Sequence, residues 1–507
     1  MTFLPIVERE LRLASRRKRT YFVRCAAALL ALSLAGFSLF VAAMSPGTSG
    51  KYLFTVISFY VFIFSLFAGV FLASDCLSRE RREGTLGFLF LTDLKGYDVV
   101  LGKFMAISLN AFYGLLAIFP ILGLSLLSGG VTGREFARMS LALVNTLFFS
   151  IAGAMWVSSR ALSNYRAMAN TICLLIGLVA VAQVAHVCMM YIPSRFSSAL
   201  FYLSALSPAE SFLLADEAGF IQGSRAFWLT LGLSHLLGWI FLGVACWRLP
   251  RLIAPVERAR VRRRFWTGEF IAGISPRRRA LLEINPVLWL VDDSRRLRWV
   301  AWGLAGVGGV SLLIFGRMAP MAALFNTYIA WPFYFLLKIF FAIQVCRFFS
   351  EARRAELLEV LCATPLTSKE MMRGQWLALK QIFLWPVVLL MVVQVATVMM
   401  SKHAAMPASF MNFYFPFLLL RQLGNSVLDF FALGWFGMWL ALTCKKPETA
   451  TGLTILFVLI LPMFAMCVPT FATDVVFIVV GRSKLLHEFR NPSAVLSRKT
   501  VRERTMV

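Results

Sequence analysis

The stretch KYLFTVISFYVFIFSLFAGVFLASDCLSRERRE, Lys51 to Glu83, decides how the rest of the chain is read. Tyr52 to Ser74 carries no charge and exceeds the roughly 20 apolar residues that a helix needs to cross a ~30 Å hydrocarbon layer. The residues after it turn abruptly to Asp75, Arg79, Glu80, Arg81, Arg82 and Glu83. An uncharged run closed by a dense charged segment is the grammar of a membrane span meeting water, and the chain repeats it in both directions. Candidate spans fall near 25–44, 52–74, 101–127, 139–158, 168–192 and 226–247, then near 299–316, 323–346, 375–400, 415–443, 449–468 and 470–481. The last is short for a crossing and closes either a hairpin or a broken helix. Lys445 and Lys446 before the final pair, with Arg482, Lys484, Arg490 and Arg498 after it, favour the hairpin.

Composition agrees. Of 507 residues 59% are hydrophobic and 15% charged, with a mean hydropathy of +0.75, against roughly 25% charged in ordinary soluble domains. This excludes a soluble enzyme and predicts an all-α, polytopic membrane protein of twelve transmembrane helices in two six-span halves. The net charge of +26 lies between the apolar runs, at Arg9 to Arg24, Arg79 to Arg82, Arg248 to Arg298, Arg347 to Arg354 and Arg482 to Arg504. That is the positive-inside distribution, placing both termini in the cytoplasm and the chain in the plasma (inner) membrane, in contact with anionic lipids. No cluster interleaves aromatics for base stacking, so nucleic acid is not the expected partner. The basic N-terminal region is too long for a signal peptide, and 25–44 reads as an uncleaved span. Nine cysteines without a CxxC, most inside apolar runs, read as small core or lipid-facing residues.

The expected organisation is a first half over 1–248, a basic cytoplasmic linker over 249–285 and a second half over 286–507 ending in a basic tail. No polar segment is long enough to bury a nucleotide-binding core, so any ATP chemistry would belong to another polypeptide and no cofactor is expected in this chain. The longest outside segment, Pro193 to Arg225, contains SALSPAESFLLAD, which suits a surface-lying or half-inserted helix.

A shift of 272 positions overlays SRERREGTLGFLFLTDLKGYDVVLGK (Ser78 to Lys103) on SEARRAELLEVLCATPLTSKEMMRGQ (Ser350 to Gln375) without a gap. Ser78/Ser350, Arg81/Arg353, Arg82/Arg354, Leu86/Leu358, Leu89/Leu361, Thr92/Thr364, Leu94/Leu366 and Gly102/Gly374 are identical, and Asp98/Glu370 match in charge. A shift of 279 likewise overlays SRRKR (Ser15 to Arg19) on SRRLR (Ser294 to Arg298), each just before the first span of its half. Tandem duplication of a six-span unit follows, with a basic amphipathic interfacial helix before each half and the copies related by an axis along the membrane normal.

In each copy a helix with one apolar and one charged face precedes a turn, and Asp98 or Glu370 is placed to cap the helix that re-enters the membrane. These elbows, residues 76–100 and 348–373, read either as interfacial anchors or as docking surfaces. The pattern E-G-T-L-x-x-L-x-x-T followed by Gly-Lys resembles permeases of type 2 ABC transporters. The first copy supplies Glu83, Gly84, Thr85, Leu86 and Thr92, then Gly102 and Lys103; the second supplies Glu356, Leu358, Glu359, Leu361, Thr364, Pro365 and Gly374; Arg82, Arg353 and Arg354 beside them are further docking candidates. Gly87 and Asp93 in the first copy, and Leu357 and Gln375 in the second, depart from the family pattern, so the two surfaces are expected to be unequal. The resemblance implies a non-enzymatic transport subunit of an exporter whose elbows contact two separately encoded ABC ATPase subunits, with room for a further permease subunit.

Leu127-Ser128-Gly129-Gly130 imitates an ATPase signature but reads as a turn, and Gly96 to Lys103 lacks the spacing of a phosphate loop. His186, His235, His403 and His487 are scattered, and no catalytic or metal constellation is expected. Lys338, Arg421 and Asp429 lie within spans, where an ionisable group is costly unless it faces a cavity or a partner, and they are candidates for the translocation path. Arg421 and Asp429 are roughly two turns apart, with Gly424-Asn425 between them placed to break the helix. The competing reading is an ion-coupled secondary transporter, which places such groups at the midplane of broken helices.

Overall fold

The computed structural model describes residues 49–82, 95–127, 129–161, 164–191, 197–249, 295–315, 322–354, 367–400, 415–444, 447–464 and 470–490, with a few isolated positions. Every regular element among them is helical. Among the described residues eight helices are long and apolar enough to cross a membrane, and Leu297–Leu313 and Thr449–Ile460 are apolar but shorter. The chain is a polytopic helical membrane protein. The expected span at 25–44, most of the basic helix before it, the linker and the tail lie outside the described residues.

The chain divides into two compact units, Met1–Thr267 and Gly268–Val507. The first begins with α1 (Ser49–Leu72) and its continuation α2 (Cys76–Arg82), then α3 (Gly96–Leu116) and α4 (Phe119–Leu127). The sequence reads 101–127 as one run, but the helix pauses at Ala117 and Ile118. Pro120 has no N–H to bond back to the preceding turn, which accounts for the break. After it, α5 (Gly133–Arg160) and α6 (Asn164–Tyr191) form a hairpin, and the short α7 (Ser197–Ala205) and α8 (Pro208–Leu214) lead into α9 (Glu217–Arg248). The two short helices take the place of the expected surface helix, with Ser207 capping α8 and Pro208 at its first position.

Three helices of this unit run parallel, with α5 in the middle. Lys51 meets Glu135, the Ser150 hydroxyl donates to Leu66 O at 2.5 Å and accepts Gly69 N–H at 3.0 Å, and Ser158 Oγ accepts Leu77 and Ser78 N–H at 3.1 Å each. Ascending α1–α2 thus matches ascending α5. On the other flank Glu217 N–H donates to Glu135 Oε1 at 3.3 Å, the Asn145 amide donates to Ser234 Oγ at 2.8 Å, and Trp156 stacks on Phe241. The α1–α5 crossing is close: a Cβ on Gly69 would lie 2.2 Å from Ser150 O.

The second unit comprises α10 (Arg295–Phe315), α11 (Ala322–Arg354), α12 (Ser368–Met400), α13 (Phe415–Thr443), α14 (Pro447–Ile455), a π-helical turn (Leu456–Ile460), α15 (Leu461–Phe464) and α16 (Thr470–Arg490). It too has a parallel row, α11–α13–α16. Lys338 meets Asp429, Cys346 Sγ donates to Gly437 O at 3.6 Å, and Arg353 donates to Leu442 O. Phe436 packs on Phe477 with centroids 4.8 Å apart, and a Cβ on Gly481 would lie 2.7 Å from Phe436 N. Because α13 and α16 are parallel, the chain reverses twice between them, which is the hairpin alternative and not a broken helix. α13 runs through Gly424 and Asn425 without interruption, contrary to the expected break. Neighbouring turns of an α-helix satisfy each other's backbone groups in hydrocarbon, and interrupting them there is costly.

Replacing Gly69 with Ala forces the α1–α5 pair apart and is expected to cost about 1–3 kcal/mol. Gly123→Ala, where a Cβ meets nothing within 4 Å, is expected to be neutral or slightly stabilising. Thermal unfolding of both variants in detergent checks this; equal behaviour would contradict it.

Candidate functional site

Each elbow is entered by a span and left by a capped helix. On the leaving side, Lys95 N–H donates to Asp98 Oδ2 at 3.0 Å, and Thr367 donates through both N–H and hydroxyl to Glu370 Oε2 at 2.8 Å. The acidic residue three positions into the helix ties down the residue before it, as the spacing predicts. Gly374 is required by packing: a Cβ there would lie 2.3 Å from Asn285 Oδ1, while the Asn285 amide donates to Glu370 O at 3.0 Å.

On the entering side basic residues bond groups of their own unit. Arg82 grips Asp75 with both terminal nitrogens at 2.8 Å and reaches Ser78 Oγ at 3.3 Å, and Arg353 donates to a carbonyl in the last turn of α13. Such terminal carbonyls have no partner within their own helix, and a guanidinium is a suitable donor. Gly84 is exposed and takes φ +73°, a left-handed conformation that ends α2. Glu83, Thr85, Leu86, Thr92, Glu356, Glu359, Thr364, Pro365 and the Arg354 side chain lie outside the described residues.

One ion pair explains the lysine of the repeated motif. Lys103 Nζ sits 2.6 Å from Glu80 Oε1, with the two side chains 9% and 14% exposed. At the matching positions of the second copy stand Gln375 and Ala352, and the Gln375 amide instead donates to Val345 O at 2.7 Å. The departure at Gln375 is therefore accompanied by loss of its acidic partner. Sequence reading missed Glu80 because the pair forms across the elbow.

Within the apolar helices of the second unit, Lys338 Nζ lies 2.5 Å from Asp429 Oδ2 and 3.4 Å from Ser426 Oγ. Arg421 is exposed on the first part of α13 and is not the partner of Asp429. Asp474 joins this group from α16: it is 0% exposed, and its carboxyl interacts with Asp429 and Lys338. It is the one acidic residue between Thr449 and Gly481, a signal that the intramembrane-charge criterion applied to Lys338 would have caught. Among the described residues no group of His, Cys, Asp and Glu is arranged to hold a metal ion.

A further network closes the opposite end of the first unit. Lys51 bridges Glu135 and Asp216, and Arg138 pairs with Glu217 while its guanidinium lies over the Phe220 ring. Burial works against the Lys51 ammonium, but bonds to Asp216 and Glu135 prevail and its pKa is raised. Burial likewise opposes the Asp216 carboxylate, and the Lys51 bond and charge overcome it, so its pKa is lowered. Nearby, Gly129 and Gly130, at φ +81° and +82°, form the turn that imitates an ATPase signature. His235 belongs to a polar chain on α9: its Nδ1 bonds Asn145 Oδ1 at 3.0 Å and its Nε2 accepts from Trp239 at 3.0 Å.

Comparison with protein-family models and with curated proteins finds no match to this chain.

Lys103→Gln leaves Glu80 buried without its ammonium and is expected to cost about 3–5 kcal/mol. The pair Glu80→Ala with Lys103→Gln, which reproduces Ala352 and Gln375, is expected to cost far less. A double-mutant cycle on thermal unfolding reads the difference, and additive losses would contradict it.

The lowered Asp216 pKa contributes stability that is present above its ordinary value of 3.8 and is lost as pH falls through the lower folded value. The raised Lys51 pKa contributes stability that is present below 10.5 and is lost as pH rises through the higher folded value. Asp216→Asn is expected to shrink the acid limb of a stability-against-pH curve; an unchanged limb would contradict the assignment.

Proposed function

We propose that this chain is the membrane-spanning permease subunit of an ATP-binding-cassette exporter, driven by separately encoded ATPase subunits and lacking enzymatic activity of its own. The observation that carries the reading is the elbow frame present in each unit. A long helix ends in basic residues that bond groups of their own unit, an elbow follows, and a helix capped by Asp98 or Glu370 leaves it. An elbow held at both ends can pass a push from a soluble partner into two spans at once. The parallel rows α1–α5–α9 and α11–α13–α16 support two tandem halves. Basic residues at the ends of α2, α11 and α16 support a cytoplasmic face for the elbows and the plasma (inner) membrane as location. Twelve crossings follow if 25–44, α10, the segment from α14 to α15, and α16 each cross.

A second reading, ion-coupled secondary transport, draws support from the pairing of Lys338 with Asp429 inside apolar helices.

Gentle solubilisation of native membranes through a tag on the chain is expected to recover an ABC ATPase at two copies per chain. Glu83→Gln, or Glu356→Gln with Glu359→Gln, is expected to weaken that association while leaving membrane insertion intact. Recovery of no ATPase, with transport that survives ATP depletion and fails when the ion gradient collapses, would overturn the permease reading in favour of the second.

A further inference from the structure

The group formed by Lys338, Asp429 and Asp474 is unbalanced in charge. Lys338 supplies one positive charge and is paired with Asp429 at 2.5 Å, with Ser426 Oγ at 3.4 Å. Asp474 is 0% exposed, and no donor among the described residues reaches its carboxyl oxygens, which lie against the Asp429 carboxyl. With both acids ionised, the cluster would hold a net negative charge among apolar side chains. It would also place an unbonded carboxylate beside another, an arrangement that costs several kcal/mol.

We propose that Asp429 and Asp474 share one exchangeable proton opposite Lys338, making this cluster a proton-binding site inside the second unit. A single proton removes both penalties. The protonated carboxyl donates its O–H to the other carboxylate, and the ammonium balances the remaining charge, so the group becomes neutral and Asp474 gains a bond. Two carboxyls in contact hold one proton for the same reason wherever they are desolvated.

Among the described residues the surroundings supply no rival for this role. Lys338 on α11 and Asp429 on α13 are the charged groups that act on Asp474. The π-helical turn and α15, which pack on α16, contain no ionisable residue. On α12, Glu370 and Arg373 sit in the first two turns and Lys380 is exposed. A metal cation would need a shell of oxygen donors, whereas the cluster offers two carboxyls and the Ser426 hydroxyl beside an ammonium that repels it.

The site joins three parallel helices, α11, α13 and α16, through one titrating group. Loss of the proton restores the negative charge and loosens α16 from α13, so occupancy reports on, and biases, the packing of this row. The inference requires neither reading of the transport motor.

The test is infrared spectroscopy of the purified full chain in lipid nanodiscs, in light and heavy water across a pH series. The wild-type chain is expected to show a protonated-carboxyl band at neutral pH that shifts in heavy water, fades as pH rises and is missing in Asp474→Asn. The same variant, with an amide in place of the shared proton, is expected to keep its melting temperature at high pH where the wild type loses it. No such band in the wild type, or a band unchanged in both Asp474→Asn and Asp429→Asn, would overturn the proposal. So would a saturable rise in wild-type melting temperature with sodium or potassium chloride at high pH, which would assign the charge to a bound cation. If Asp474→Asn does not fold, the wild-type spectrum together with Asp429→Asn decides.

Discussion

A backbone N–H or C=O left without a partner in hydrocarbon costs several kcal/mol, and water is not there to supply one. That constraint makes every described element of this chain a helix, and it passes the same demand to each side chain that could bond. Ser150 bridges two helices by donating to Leu66 O and accepting from Gly69 N–H, and Ser158 receives two amides where α2 begins. Arg353 fills an open carbonyl at the end of α13. Polar residues here are joints between helices, and glycines such as Gly69 and Gly481 bring the backbones close enough for the joints to form.

Charge follows the same rule with a sharper penalty. Glu80 and Lys103 neutralise each other beneath the first elbow, and the second unit replaces both with Ala352 and Gln375, keeping the joint without ions. Lys51, Glu135 and Asp216 close the far end of the first unit, where one ammonium holds two carboxylates from separate helices. At Lys338, Asp429 and Asp474 one ammonium again faces two carboxyls, but here Asp474 is fully buried and no donor among the described residues reaches it, which distinguishes that cluster from the others.

Much of this was legible in the sequence because its cause is local. Apolar run lengths give the spans, and the spacing from Lys95 to Asp98 and from Thr367 to Glu370 gives the caps. The 272-residue shift pairs the two elbows before any helix is placed. What escaped depends on contacts between distant segments. Lys103 reads as part of a motif until Glu80 is set against it across the turn. Asp429 reads as one of several isolated intramembrane charges until Lys338, from a parallel helix, is set against it. Asp474 was hidden because its segment is short as an apolar run, whereas the helix continues through Arg482 and Lys484 to Arg490.

The proposed function requires each unit to present its elbow to the cytoplasm. In a chain freed of its native cysteines, single cysteines at Tyr97 and Lys369 mark the two elbows, and one at the exposed Leu127 marks the opposite end of the first unit. Labelling sealed vesicles of known orientation with a membrane-impermeant thiol reagent reads the side of each. The account predicts that positions 97 and 369 react from the cytoplasmic side and position 127 from the other. Reaction of 97 and 369 from opposite sides would contradict it.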